Sequence, residues 1–320
     1  MKVLLLASLF LASSAFAQSL TDYNIVVDGR HDEITSTDVQ RLQGRVRLGF
    51  VIDAAGIVEI VGLASTGNSF NNDWTTVSSN NNSNDHLNLT FRNLYLRKVI
   101  GNTTVEAGAL SPEPTVGSAG LASSGWVDGL RVKVNTKVGD FKVVAGSLGD
   151  FKQPNSFERK FQGNFIEIEM DHKVFENLLT QTAVEHYNGD LYLRENLTLD
   201  LKILTDKVFK VFASALYDTE RNAMNYEVGA EFDLLKNITN KYDHRLDFKV
   251  YYSSLDERIP DRNSMTSAYY TYGPRITTQI GGKIDKAGNI NWYTRATFGA
   301  DGNNRFDVGI QVKIGKKKKS

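Results

Sequence analysis

Apolar and polar side chains alternate along most of the chain. In RLQGRVRLGFVID, residues 41–53, the leucines, Val46, the phenylalanine and the isoleucine share one parity, and Arg41, Arg45 and Arg47 share the other. The stretch LYLRENLTLDLKI, residues 191–203, repeats the pattern, and no window keeps a 3.6-residue period. Because successive side chains of a β-strand point to opposite faces, each such stretch predicts a strand with one apolar and one charged face.

The alternation predicts sixteen strands. They cover residues 22–30, 41–53, 56–65, 86–99, 102–110, 127–136, 141–148, 161–172, 177–187, 190–203, 207–217, 221–234, 242–253, 275–285, 288–298 and 304–314. The pattern changes phase near Arg92 in the fourth of these strands. One extra residue in a strand shifts the parity of everything after it, so we expect a β-bulge at this position.

Counting the strands places the long connections at one end of the sheet and the short turns at the other. The segments 65–85, 111–126, 149–160 and 255–274 are the long ones, and the count puts them all at one end of the sheet. The short turns fall at the other end, together with both termini of the sheet. This arrangement is typical of outer-membrane barrels, so we predict an all-β, transmembrane antiparallel β-barrel of about 16 strands with short periplasmic turns and long extracellular loops.

Aromatic residues of the apolar parity form two groups, as the interfacial girdles of such barrels do. Those near the long-loop end are Trp126, Tyr217, Tyr252, Phe298 and Phe306, and those near the other end are Tyr23, Phe141, Phe209 and Phe232. The strand directions were assigned without using the aromatic residues, so the two bands are a separate argument for a membrane barrel.

The N-terminus indicates export. Residues 1–17, MKVLLLASLFLASSAFA, combine an early lysine, an apolar run and a small-residue cleavage site, which is the pattern of a secretory signal peptide. We therefore expect cleavage near Ala17, a barrel at 18–314, a basic periplasmic tail at 315–320 and a location in the cell outer membrane. The chain has no cysteine, so disulfides do not stabilise it, and 37 basic residues balance 37 acidic ones, which gives no net charge to favour nucleic acid.

A barrel of about 16 strands encloses a water-filled lumen, and the charged parity would line it. The pore-lining basic candidates are Arg41, Arg45, Arg47, Arg131 and Lys133, and the acidic candidates are Glu167, Glu169, Glu185, Glu227, Glu231 and Asp233. In a ring of sixteen, the second strand stands opposite the tenth, so we expect basic and acidic walls that face one another and produce a transverse field. The alternative is that these charges only keep the lumen wet and pair with their neighbours.

Catalytic and metal motifs are absent from the sequence. Adjacent strand residues point to opposite faces, so neither His31 with Asp32 nor Glu185 with His186 is a ready-made catalytic pair. Neither HExxH nor paired CxxC occurs, and no glycine-rich loop leads from a strand into a helix. We therefore predict no enzymatic activity, no catalytic residues, no cofactor and no metal; calcium held by the Asn- and Asp-rich loops is the weaker alternative.

Over the whole mature chain, this pattern resembles the Gram-negative general porins. The features that carry the resemblance are the signal peptide, the sixteen strands, the absence of cysteine, the predicted periplasmic position of both termini and a long third loop, SPEPTVGSAGLASSGW. In that family the third loop folds into the barrel and brings acidic residues opposite an arginine cluster. The resemblance implies that Glu113 supplies the acidic group of a constriction loop, with Arg45, Arg47 and Arg131 as the basic wall; the alternative is an ordinary surface loop. It also makes a homotrimer an expectation.

The C-terminus departs from the family. General porins end their last strand in an aromatic residue, whereas this chain ends VKIGKKKKS. The departure concerns the assembly signal and leaves the barrel pattern unchanged.

We therefore expect a passive diffusion channel whose partners are outer-membrane lipid and lipopolysaccharide, small polar solutes and ions, with no nucleic acid. Two alternatives share the strand pattern. One is a non-conducting outer-membrane barrel that serves as a structural protein or adhesin through its Asn/Ser-rich surface loops. The other is a soluble secreted β-sandwich, which the even strand count and the aromatic bands disfavour.

Overall fold

The computed structural model describes most of the chain after the predicted signal peptide. The described residues are 20–67, 74–80, 88–112, 126–148, 161–202, 208–233, 246–259, 272–284 and 289–316. The predicted signal peptide, Glu113 and the tail residues 317–320 lie outside these ranges, so their predictions remain untested.

Seventeen strands and a 3₁₀ turn at Thr35–Thr37 make up the described part of the chain. The strands are β1 Leu20–Ile34, β2 Val39–Ala54, β3 Val58–Gly67, β4 Thr75–Ser79, β5 Asn88–Ile100, β6 Thr103–Leu110, β7 Val127–Asn135, β8 Asp140–Leu148, β9 Phe165–Phe175, β10 Leu178–Tyr187, β11 Asp190–Lys202, β12 Val208–Asp218, β13 Ala223–Asp233, β14 Leu246–Leu255, β15 Gly273–Lys283, β16 Ile290–Gly299 and β17 Asn304–Lys316. All sixteen predicted strands are confirmed, and β4 is additional. None of the described residues belongs to a helix with the length and apolarity needed to cross a membrane.

Sixteen of these strands close into one antiparallel ring. Each pairs with its neighbour in the chain, and β1 pairs with β17 through Ile25 and Ile314. The closure is extensive, because the register runs from Tyr23 opposite Lys316 to Ile34 opposite Arg305. A closed ring leaves no unpaired strand edge, which is the condition for a sheet to lie in lipid.

The seventeenth strand, β4, lies within 65–85, where the sequence pattern predicts one loop. β3 pairs with β2 as far as Ser65 opposite Arg47, and β4 then pairs with β2 from Thr75 opposite Gly44. β4 therefore continues the line of β3 along β2. A strand of five residues carries too few alternations to be recognised from its pattern.

The two faces of the ring differ as the alternation predicted. Ile168 on the outer wall is 58% exposed, whereas its neighbours Glu167 and Glu169 on the inner wall are 0% and 2% exposed. The inner side chains are most deeply buried in the half of the barrel that adjoins the long connections. Charge is thus concentrated in the lumen, and the outer wall is left apolar.

Connection lengths follow the prediction in part. The connection 234–245 is long although it lies at the end that holds the termini, and the connections 35–38, 188–189, 219–222 and 300–303 are short although they lie at the opposite end. The predicted bulge is confirmed, because the pairing of β3 with β5 passes from Asn93 directly to Phe91 and leaves Arg92 as the extra residue. β17 extends to Lys316, two residues into the segment predicted as a tail.

Aromatic side chains meet in clusters on the outer wall near both ends. Phe232 packs against Phe209 and Phe248, with ring centroids 5.7 and 4.9 Å apart, near the end that holds the termini. Near the other end, the rings of Phe298 and Phe306 lie 5.7 Å apart, edge to face. Aromatic rings in such positions are typical of membrane interfaces.

Candidate functional site

Arginines from four adjacent strands gather on one side of the lumen. We call this set the arginine wall; its described charged members are Arg30, Arg41, Arg45, Arg47, Arg295 and Arg305, together with Asp28, Asp32 and Asp307. The strands are β16, β17, β1 and β2, which are adjacent only because the ring closes between β17 and β1. Six arginines against three aspartates give this set a positive balance.

Asp28 holds the part of the arginine wall that lies nearer the end of the barrel with the termini. One of its carboxylate oxygens accepts a hydrogen bond from Nε of Arg45 at 2.7 Å and another from Nη2 of Arg47 at 3.1 Å. Its other oxygen accepts a bond from the amide of Gln311 at 2.6 Å. Arg45 and Gln311 stand directly opposite Asp28 on β2 and β17, so the strand register itself sets these contacts.

Asp32 and Asp307 hold the part of the arginine wall that lies nearer the long connections. Arg41 pairs with Asp32 at 2.6 Å, and Arg295 pairs with Asp307 at 2.7 Å. Arg305 contacts both carboxylates, pairing with Asp307 at 2.9 Å. Both aspartates are almost completely buried, whereas Arg41 and Arg295 keep 23% and 24% of their side chains exposed. Part of the arginine surface is therefore directed to the lumen.

Trp74, at the start of β4, is inserted into the arginine wall. The guanidinium carbons of Arg30 and Arg45 each lie 4.1 Å from the ring centroid, which is a close cation–π geometry. Arg30 also donates from Nε to the side-chain oxygen of Gln43 at 2.8 Å, and Gln43 donates to Thr76 of β4 at 3.2 Å. These contacts bind β4 to the inner wall as well as to the backbone of β2.

A second cluster, which we call the glutamate wall, surrounds Arg194 of β11. Its guanidinium group contacts Glu167 at 2.8 Å and Glu185 at 3.1 Å, and it also donates to Glu169. Lys142 of β8 pairs with Glu169 at 2.5 Å. Three carboxylates surround two cations, so these members have a negative balance. A buried charge must be paired to be stable, and here the pairing is dense.

The two walls face one another. The glutamate wall lies on β8, β9, β10 and β11, and the arginine wall lies on β16, β17, β1 and β2. Because β4 is not a member of the ring, β2 and β11 are eight positions apart in a ring of sixteen, and the same holds for β17 and β9. The two clusters of opposite balance therefore occupy diametrically opposite positions of the ring.

Other predicted lining residues occupy different places. Arg131 donates to Glu106 at 2.6 Å, and Lys133 lies 3.7 Å from the same carboxylate, so both belong to a local ion-pair group on β6 and β7. The predicted acidic residues of β13 are spread along one strand. They are Glu227, which is 1% exposed, and Glu231 and Asp233, which are half-buried nearer the termini.

The structure adds residues that sequence reasoning missed. Asp28, Arg30 and Asp32 share one parity within β1, and Arg295 shares the parity of the inner residues of β16. The inward direction of these side chains could therefore be predicted from the sequence. The proximity of Arg295 to the arginines of β2 could not, because it depends on the closure of β17 against β1, whereas Asp28 meets Arg45 through the register of β1 with β2. Arg194 was missed because its strand reads as ordinary alternation.

The described histidines do not form a catalytic arrangement with acidic neighbours. His31 and His186 are exposed on the outer wall, and Nδ1 of His172 lies 2.7 Å from the backbone oxygen of Val138. Across the described residues, no group of three or more His, Cys, Asp or Glu side chains could hold a metal ion.

Solved outer-membrane porins share this barrel architecture. OprB of Pseudomonas putida, in a low-pH structure, is 12% identical, with 95% of each chain covered and a TM-score of 0.58. A triple mutant of the Rhodopseudomonas blastica porin is 8% identical, with 92% of this chain and 100% of that chain covered and a TM-score of 0.59. The outer membrane protein OprD of Pseudomonas aeruginosa is 9% identical, with 92% and 94% covered and a TM-score of 0.56.

These likenesses show the fold: the chain forms a porin-like β-barrel. Neither a protein-family model nor a curated protein sequence matches the chain.

Proposed function

We propose that this porin-like barrel is an outer-membrane channel through which ions and small hydrophilic solutes diffuse passively. The observation that carries the proposal is the pair of oppositely balanced walls across the lumen. Charged side chains on the inner face of a lipid-embedded barrel are stable only if water or ion pairs satisfy them. A barrel of sixteen strands is wide enough to hold water.

The walls give the channel a preference for polar solutes. A transverse field aligns the dipole of water and of polar solutes, so an apolar molecule that replaces oriented water is disfavoured. Arg41, Arg45 and Arg47 form the pore-lining basic group on β2, and Glu167, Glu169 and Glu185 form the acidic group opposite. Arg131, Lys133, Glu227, Glu231 and Asp233 add lining charges outside the two walls.

The remaining parts of the proposal concern placement and partners. We expect export by the signal peptide, an outer-membrane location, contact with lipid and lipopolysaccharide, and assembly as a homotrimer. Glu113 would act from the long loop 111–126, the third loop at its end of the barrel. The proposed activity involves no catalysed reaction and no cofactor.

Refolded full-length protein in planar lipid bilayers tests the proposal. A channel gives stepwise current increases whose size rises with salt concentration, and these steps are absent from lipid alone. A barrel that inserts but carries no current would contradict the proposal and favour a structural or adhesive role through the surface loops.

A further inference from the structure

Inward-facing aromatic and cationic side chains alternate along the wall from β12 to β1. We call these six residues the aromatic–cationic belt: Phe212, Lys249, Tyr251, Arg295, Tyr293 and Arg30. They come from β12, β14, β16 and β1 and share the inner parity of their strands. Trp74 extends the alternation beyond Arg30 to Arg45.

The rings of Phe212 and Tyr293 lie over glycines of the inner face. Tyr293 faces Gly309 across the β16–β17 pair, and a Cβ on Gly309 would lie 2.5 Å from the Tyr293 ring. On β13, a Cβ on Gly229 would lie 2.5 Å from Cβ of Tyr251 and 2.6 Å from the Phe212 ring. A ring that covers a glycine presents its other face away from the wall, which here means toward the lumen.

Cations stand beside each ring. The ammonium group of Lys249 lies 4.9 Å from the centroid of Phe212 and 5.3 Å from that of Tyr251. Tyr293 interacts electrostatically with Arg30 and Arg295, and Tyr251 interacts with Arg295. Tyr251, Tyr293 and Lys249 are half-buried, so each keeps surface that a solute can reach.

We propose that the aromatic–cationic belt is a binding site for small anions that carry a flat ring, such as aromatic carboxylates. The ring of the solute would stack on Tyr251 or Tyr293, where an offset aromatic pair is favourable. Its carboxylate would meet Arg295 or Lys249, and arginine matches the two oxygens of a carboxylate with paired donors. The proposal rests on the proposed channel function and specifies the solute class that the lumen retains.

Equilibrium dialysis of ring-labelled benzoate against the refolded barrel in detergent micelles tests binding without requiring conduction. Cyclohexanecarboxylate has the same charge and a similar size but no flat ring, and benzamide has the ring but no charge. We expect benzoate to bind about tenfold more tightly than either, because cyclohexanecarboxylate loses the stacking and benzamide loses the ion pair. Equal binding of benzoate and cyclohexanecarboxylate would overturn the stacking part, and equal binding of benzamide would overturn the charge part.

Variants locate the site. Tyr251→Leu and Tyr293→Leu should each bring the affinity for benzoate close to that for cyclohexanecarboxylate, and Lys249→Gln should weaken both carboxylates. Tyr252→Leu is the matched control, because Tyr252 follows Tyr251 on β14 but lies on the outer wall, where it packs against Tyr226 with ring centroids 5.9 Å apart. A loss of benzoate binding in Tyr252→Leu equal to that in Tyr251→Leu would contradict the lumenal location.

Bilayer recordings separate the two proposals. If wild type binds benzoate in micelles but carries no current, the channel function fails and the binding site stands. If wild type conducts but benzoate neither binds nor reduces the current more than cyclohexanecarboxylate does, the channel stands and the belt proposal fails.

Discussion

The guanidinium group of Arg194 reaches across β10 to lie 2.8 Å from a carboxylate oxygen of Glu167 on β9, and neither side chain is exposed to solvent. The two residues are not paired in the strand ladder, since β10 stands between their strands. Arg194 therefore connects three adjacent strands of the barrel from the inside. The carboxylates of the glutamate wall, which the sequence predicts on one side of the lumen, are held there by the guanidinium group of Arg194.

Replacing Arg194 by leucine should destabilise the barrel strongly. The change leaves Glu167, Glu169 and Glu185 with Lys142 as the other cation of their cluster, and removing one partner of a buried ion pair costs about 3–5 kcal/mol. Urea-induced unfolding in lipid vesicles measures the loss. Arg258→Leu, which removes an exposed arginine whose partner Asp256 is also partly exposed, should lower the free energy of unfolding far less; similar losses in both variants would contradict the role given to Arg194.

Replacing Arg45 and Arg47 together by alanine should shift ion selectivity toward cations. The change removes two positive charges from the arginine wall and leaves Asp28 with Gln311 as a remaining donor. Reversal potentials under a salt gradient measure the shift, and raising the salt concentration should reduce it because mobile ions screen the wall. Arg221→Ala with Arg258→Ala removes the same number of arginines from the connections after β12 and β14, away from the arginine wall, and should shift the reversal potential less.

Replacing Gly309 by alanine should displace Tyr293 from the wall. The added Cβ would approach the Tyr293 ring to 2.5 Å, so the ring must move, and overpacking of this kind costs about 1–3 kcal/mol. We expect lower stability and weaker benzoate binding, measured by urea unfolding and dialysis. At Gly29, where the nearest atom would be 4.0 Å away, the same substitution should have little effect on binding; if both variants bind benzoate like wild type, the ring does not depend on its glycine.

Replacing Trp74 by leucine should loosen β4. The change removes the two cation–π contacts with Arg30 and Arg45, each worth about 0.5–2 kcal/mol. Amide hydrogen exchange of Thr75–Ser79 should accelerate roughly tenfold or more, because local opening becomes easier. Trp126→Leu removes a ring that contacts Arg92 instead, and it should leave exchange in β4 unchanged.

Replacing Arg258 by glutamine should raise the pKa of Asp256 in the turn after β14. Hydrogen bonds from the Arg258 side chain hold the pKa of the Asp256 carboxyl below its ordinary value. A carboxyl with a depressed folded-state pKa stabilises the turn above its unfolded pKa, and the contribution disappears as the pH falls through the folded pKa. Carboxyl carbon shifts in a pH titration measure the change; an unaltered titration of Asp256 in the variant would show that another group sets its pKa.

The local pattern predicts the sixteen strands of the ring, but it does not predict the contacts between their side chains. The bulge at Arg92 could be predicted because one extra residue changes the parity of everything that follows it. β4 could not, since five residues alternate too briefly to be distinguished from a loop. Likewise, the pattern predicts Arg131 in a basic wall, whereas its position beside Glu106 follows from the register of β6 with β7.

The sequence by itself determined that the protein is a barrel of alternating strands, which residues face inward, and that Arg41, Arg45 and Arg47 share one face. These properties depend on the two-residue period of a strand, which is local. Only the tertiary structure decided that Arg45 meets Asp28 on the strand before it while Arg305 and Arg295 join them from the other end of the chain. Closure of β17 against β1 brings Arg305 and Arg295 to the arginines of β2, because it joins strands from the two ends of the chain. The register of neighbouring strands places Asp28 opposite Arg45 and Gly309 beside the Tyr293 ring. Such contacts depend on the pairing between strands, which the pattern within one strand does not contain.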